Sequence, residues 1–117
     1  MTRNSRAITP EDVARHKRAL EQQAEEFELW INNDRSWHGK KINVFKTLWK
    51  KYSQGNFNVI LAQRAFMYLT DEAARWYNNQ HFEGASEISV KARRMVDTSF
   101  VSDFVAAAKN REYDFMN

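Results

Sequence analysis

Between residues 57 and 80, Val59, Ala62, Phe66, Leu69, Ala73 and Trp76 recur at 3-4-3-4-3 spacing. That rhythm lines all of them along one face of an α-helix. Ile60, Leu61, Met67 and Tyr68 carry apolar surface onto other faces, leaving a narrow polar side with Arg64, Asp71, Glu72 and Arg75. A helix that is apolar nearly all round belongs at the centre of its fold, where neighbours can cover every side. The rest of the chain points to the same class. It has 3 Gly and 1 Pro in 117 residues, too few turn formers for a β-sandwich or barrel. Apolar residues make up 43% and charged residues 28%, enough core material to fold. These features predict an all-α domain, a compact bundle of four to five helices around a central helix at about 57–80.

The other elements follow from caps and phases. Residues 1–8 are polar, basic and aperiodic, and read as a flexible arm; residues 9–117 read as a single helical domain. Thr9-Pro10-Glu11-Asp12 is a helix start, with a capping hydroxyl, a first-turn proline and acids that complement the dipole. Val13, Leu20, Ala24, Phe27 and Ile31 then share one face, and the helix is expected to end near Asn32-Asn33-Asp34. Asp34 to Lys41 reads as a loop. A second helix is expected from about Ile42 to Gln54, closed by Gly55, with Asn56 or Asn58 capping the third. Thr70-Asp71 offers a place to split that third helix. His81 to Ala85 reads as a loop and Ser86 as the next cap. Ile88, Ala92 and Met95 lie nearly opposite Phe100, Val101, Phe104, Val105 and Ala108 on a common wheel. That phase change predicts either a break at Asp97-Thr98-Ser99, the preferred reading, or one helix packed on two sides. The aromatic tail from Arg111 to Asn117 is expected to pack back. The apolar surplus at 57–80 makes a homodimer through the later helices a further expectation.

Several chemistries are excluded. With no cysteine there are no disulfides, thiolate metal sites or cysteine nucleophile. His16, His38 and His81 fall in no HExxH or HxE arrangement, and no glycine-rich phosphate loop or GxSxG elbow occurs. Glu25-Glu26 and Asp71-Glu72 are sequence neighbours, which point to different helix faces. The chain is read as non-enzymatic, with no cofactor and no metal. No apolar run approaches the ~18 residues of a membrane span, and the N-terminus shows no secretory pattern. The expected location is intracellular, in the cytoplasm.

Charge is segregated. Residues 21–35 hold five acids and Arg35, whereas residues 36–53 hold five lysines and no acid. Two surfaces follow. Arg35, Trp37, His38, Lys40, Lys41, Lys46 and Lys50 form a candidate partner-binding set, with Trp37 as an exposed loop anchor. Arg3, Arg6, Arg15, Lys46, Lys50, Lys51, Arg93 and Arg94 form an alternative nucleic-acid set. Against both stands the reading of solvated faces. If helices 1 and 2 form an antiparallel hairpin, Glu21, Glu25, Glu26 and Glu28 neutralise the lysines. A helix–turn–helix across Thr47 to Phe66 is weighed against a structural use of the third helix, since Asn56 to Leu61 offers few donors to base edges. Trp49 and Trp76 are assigned to the core.

The stretch Tyr52-x-x-Gly55-x-Phe57, then Ala62, Phe66-x-Tyr68-Leu69-x-Asp71-x-Ala73-Ala74-x-x-Tyr77, resembles a pattern in small orphan proteins of bacteriophages and mobile elements. That resemblance implies an anti-defence accessory protein, anti-CRISPR proteins among them, acting by occupying a surface of a host nucleic-acid enzyme. The combined expectation is an interaction protein that binds a protein partner and acts by steric occlusion. A direct DNA- or RNA-binding protein and a structural virion component are the alternatives.

Overall fold

The computed structural model describes residues 7–81 and 87–110, and within them it contains four α-helices and no strand. α1 spans Pro10–Asn33, α2 Arg35–Ser53, α3 Val59–His81 and α4 Val90–Lys109. The chain is all-α, as its apolar periodicity requires. The arm up to Arg6, the 82–86 connection with Ser86, and the tail from Arg111 lie outside the described residues.

Each helix start is held by a short polar side chain. Thr9 Oγ1 accepts from the Asp12 N–H at 3.1 Å, and the Asp12 carboxylate accepts from the Thr9 N–H at 3.2 Å. This reciprocal capping box satisfies two of the orphan donors that every helix N-terminus exposes. Asn58 Oδ1 accepts from Ile60 N–H at 2.8 Å to open α3. Ser89, placed after the expected Ser86, accepts from Ala92 N–H at 3.1 Å to open α4. α2 ends in a Schellman turn. Gly55 has φ 75°, its N–H donates to Tyr52 O, and the Asn56 N–H donates to Lys51 O.

The expected break at Asp97-Thr98-Ser99 and the alternative split at Thr70-Asp71 are both absent, and one expected loop is helical. The Asp34 to Lys41 loop is the cap and first turns of α2. Asp34 Oδ1 accepts from the backbone N–H of both Ser36 and Trp37 at 3.0 Å. One aspartate therefore closes α1 and opens α2 with no intervening loop. α3 runs through Thr70 without a split. α4 runs through Asp97-Thr98-Ser99 because those side chains find partners other than a cap. Asp97 bonds Thr70 on α3, Thr98 Oγ1 donates to its own Arg94 carbonyl at 3.0 Å, and Ser99 Oγ donates to Glu28 on α1 at 3.1 Å. The change of apolar phase reflects one helix packed on two sides, against α3 and against α1.

The pairings give the topology. α3 and α4 are antiparallel, since Asn78 reaches Ile88 at one end and Phe57 stacks on Phe104 at the other. α1 runs parallel to α4, with Gln23 bonded to Ser89 and Glu28 to Ser99. α2 runs antiparallel to α3, through Lys40–Glu72, Phe45–Phe66 and Tyr52–Phe57. The centre is thus the α3–α4 pair rather than α3 by itself. Phe27, Phe66, Phe100 and Phe104 are fully buried there, with Ile31 and Val96. Edge-to-face contacts link Phe66 to Phe100 at 5.6 Å and Phe45 to Phe104 at 5.5 Å, a favoured aromatic arrangement. The buried residues of α1 are Ala24, Phe27 and Ile31. Its first half, including the exposed Val13, therefore projects past the bundle although its stripe continues the core pattern.

Candidate interaction surfaces

The α1–α2 corner holds the sequence-selected residues, and it divides them. Trp37 is 6% exposed, a core residue and not a loop anchor. Its ring centroid lies 6.3 Å from that of Trp30, and Lys40 Nζ sits 4.1 Å from it on the ring face. The correction has a simple cause. Once Asp34 starts the helix, Trp37 falls on the same face as Lys41, Phe45 and Leu48, all of them buried.

Lys41 is also unavailable to a partner. Its ammonium is bonded to Asn32 Oδ1 at 2.9 Å, lies 3.8 Å from Asp103 Oδ2, and stands 4.3 Å from the Phe100 ring centroid. Burial pushes its pKa down, while the charges of Asp103 and Glu28 push it back up. Lys40 faces Glu72 across 3.7 Å.

Arg35, His38, Lys46, Lys50 and Lys51 remain exposed. The proposed neutralisation by α1 acids does not occur. Glu21 to Glu26 lie toward the start of α4, where Gln23 meets Ser89, whereas Lys46 to Lys51 lie toward its end, between Phe45 and Tyr52. Among the described residues, no acid lies within ion-pair distance of Arg35, Lys46, Lys50 or Lys51.

The alternative set is scattered. Arg15 pairs with Asp12 at 3.9 Å on the projecting half of α1. Arg93 and Arg94 both turn inward to Asp71, and Arg94 Nε lies 3.0 Å from Asp97 Oδ2. Arg3 and Arg6 lie outside the described residues. These cations do not form one patch with the α2 lysines, since α2 and the paired arginines of α4 lie on different flanks of α3.

The outer face of α3 was missed. Trp76 is 54% exposed and Tyr68 is 71% exposed, although the spacing assigned Trp76 to the core. On a wheel of about 100° per residue, Trp76 sits about 80° from the centre of the buried arc, and Tyr77 takes the inner position. Tyr77 is buried, with its ring 5.4 Å from Phe27 and 5.2 Å from Trp30. Leu61, Arg64, Tyr68 and Arg75 are all exposed on this outer face, and Trp76 is exposed at its edge. Its acids are already used, Asp71 by Arg93 and Arg94 and Glu72 by Lys40. At one edge, Trp76 joins Asp34, Ser36, Trp37, Lys40 and Glu72 around a cleft of about 330 Å³. A signal for this face existed. Tyr68 and Trp76 are eight residues apart, with Arg64 one turn before Tyr68 and Arg75 next to Trp76, a composition typical of contact hot spots.

Among the described residues, no group of three or more acidic or histidine side chains is placed to hold a metal ion, and no helix is long and apolar enough to cross a membrane. No protein-family model, curated protein or solved structure matches the chain.

Proposed function

We propose that the protein is a non-enzymatic interaction module that binds a protein partner through the outer face of α3. One observation carries this reading: Tyr68 stands exposed with Arg64 and Arg75 on the outer face of α3 and Trp76 stands exposed at its edge, whereas the other large aromatics among the described residues, Tyr52 apart, are buried or half-buried. Tyr, Trp and Arg are the residue types that dominate binding energy at protein contacts. With Asp71 and Glu72 engaged inside the chain, the face presents aromatic surface and positive charge. It suits a partner offering apolar side chains within an acidic rim. Binding there covers the partner's surface without chemistry, so the mode of action is steric occlusion. The biological context we propose is a bacteriophage or mobile-element factor that inhibits a host nucleic-acid-handling complex, in line with the resemblance at Tyr52 to Tyr77.

The test is capture from bacterial host lysate with nuclease present, comparing wild type with a Tyr68→Ala/Trp76→Ala variant. A protein retained by wild type and lost by the variant, with unchanged thermal stability, is the expected result. Equal retention by both refutes the α3 face, and a retained set that vanishes with nuclease refutes a protein partner.

A further inference from the structure

A different surface, independent of the α3 face, supports a second reading. α2 is positively charged along its length and has no acid of its own. Lys40 and Lys41 are consumed inside the fold by Glu72, Asn32 and Asp103. Lys46 and Lys50 are left exposed on the outward side, one turn apart. Gly39 occupies the same side, in the interior of the helix. Glycine is among the poorest helix formers, and a side chain added at Gly39 would meet nothing within 4 Å. The fold itself therefore does not require a glycine there. The bare backbone leaves a notch in the outer face of α2, and close approach by another surface is what a notch of this kind permits.

The matching surface is on α1. Glu21 and Glu25 are likewise one turn apart, and Leu29 follows them one turn on, 61% exposed. Leu29 stands with Glu25, Glu28 and Asn32 around a shallow hollow. Among the described residues Glu21 and Glu25 have no cation within ion-pair distance. The fold thus holds an acidic pair and a basic pair of equal spacing and prevents them from meeting within one chain, because α1 and α2 diverge from the Asp34 corner. When the two helices are laid antiparallel with Glu25 against Lys46, Glu21 falls against Lys50. Leu29 then comes within one turn of Gly39, about 5 Å along the axis.

We propose that the outer face of α2, Lys46 and Lys50 beside the Gly39 notch, receives Glu21, Glu25 and Leu29 of α1 from a second copy of this chain. Opposite charges brought together in this way set register and orientation and are weakened by salt, while Leu29, one turn from the Gly39 notch that lets the two helices approach closely, supplies the apolar contact. A patch that is complementary to another patch on the same chain is the requirement for self-association.

The test is solution mass by light scattering and sedimentation at about 20 mM and about 500 mM salt, conditions on either side of effective screening. The expected result is a mass above the 13.9 kDa of one chain at low salt, returning to it at high salt. Glu21→Lys/Glu25→Lys and Lys46→Glu/Lys50→Glu should each be monomeric at low salt. Mixed together they should associate again, because the reversed pairs complement one another. Gly39→Leu separates association from folding, since it fills open space on the monomer. It should keep or raise the melting temperature while weakening association at least about tenfold, as expected for a clash at a contact. A wild-type monomer at every salt concentration, including one that binds duplex DNA through the lysines, overturns the proposal. So does association that survives both charge reversals, or a mixture that stays monomeric.

Discussion

Asp97 lies inside the bundle at 0% exposure and makes the stability of the protein depend on pH in an unusual direction. The Thr70 hydroxyl donates to its Oδ1. Arg94 Nε is 3.0 Å from its Oδ2, yet the N–H is not aimed at that oxygen and neither atom has a hydrogen bond. The attraction is therefore poorly directed, and Arg94 is shared with Asp71. Loss of water outweighs the favourable contacts from Thr70, Arg94 and Arg93, and the negative charge of Asp71 adds to it. The carboxyl is pushed up from 3.8 to about 6. At about 1.4 kcal/mol per unit, a shift of about two units corresponds to about 3 kcal/mol. Because the folded value is raised, the folded chain keeps a proton that the unfolded chain has released. The stability from this group is complete below the unfolded value of 3.8 and is lost as pH rises through about 6. Asp97→Asn removes the titration with little change in shape. Urea unfolding of wild type and variant, followed by circular dichroism across this range, isolates the effect, since groups common to both cancel. The wild type should lose about 2 kcal/mol relative to Asp97→Asn between about pH 4 and about pH 7, the part of the full effect that falls inside that window. A difference that is flat across this range, or that moves in favour of the wild type, refutes the argument that burial governs Asp97.

Phe104 is fully buried between Phe45, Tyr52 and Phe57. Phe104→Ala should cost about 3–5 kcal/mol in a denaturant titration, and a loss below about 1 kcal/mol would show that this end of the bundle is not packed. Thr9→Ala removes a cap worth about 1 kcal/mol, but from a half-helix that the bundle does not cover. Amide exchange should speed up through the first turns of α1 with almost no change in melting temperature, and a drop of several degrees would mean that the projecting half is part of the cooperative unit.

Local signals in the chain carried much of the fold. Thr9, Asn58 and Gly55 do as caps what their chemistry allows, because a cap is decided by residues within one turn of it. The stripe Ala62, Phe66, Leu69, Ala73 is buried as its period demands. Where neighbouring helices decide, the same reasoning stopped. Val13 satisfies the stripe but lies on the projecting half of α1, and Val59 satisfies it yet is half exposed at the first position of α3. Trp37 looked like a loop tryptophan because Gly39 and the polar residues around it obscured a helix that Asp34 starts. Thr98 and Ser99 looked like caps, yet their hydroxyls are taken by Arg94 and Glu28.

The candidate surfaces divide along the same line. The separation of acids on α1 from cations on α2 is a property of the chain itself and was visible from the first. Whether those charges meet depends on the path of α2 away from the Asp34 corner, a long-range matter of packing. The sequence by itself determined that the chain is helical and where most helices start and stop, since hydrophobic period and capping act over a few residues. Tertiary structure decided that Tyr77 turns inward and Trp76 outward, that Lys41 is enclosed while Lys46 and Lys50 stay in solvent, and that Asp97 is buried within one unbroken helix. Each of these depends on which surface is left over after α3 and α4 pair, a quantity that arises only once residues distant in the chain compete for the same volume.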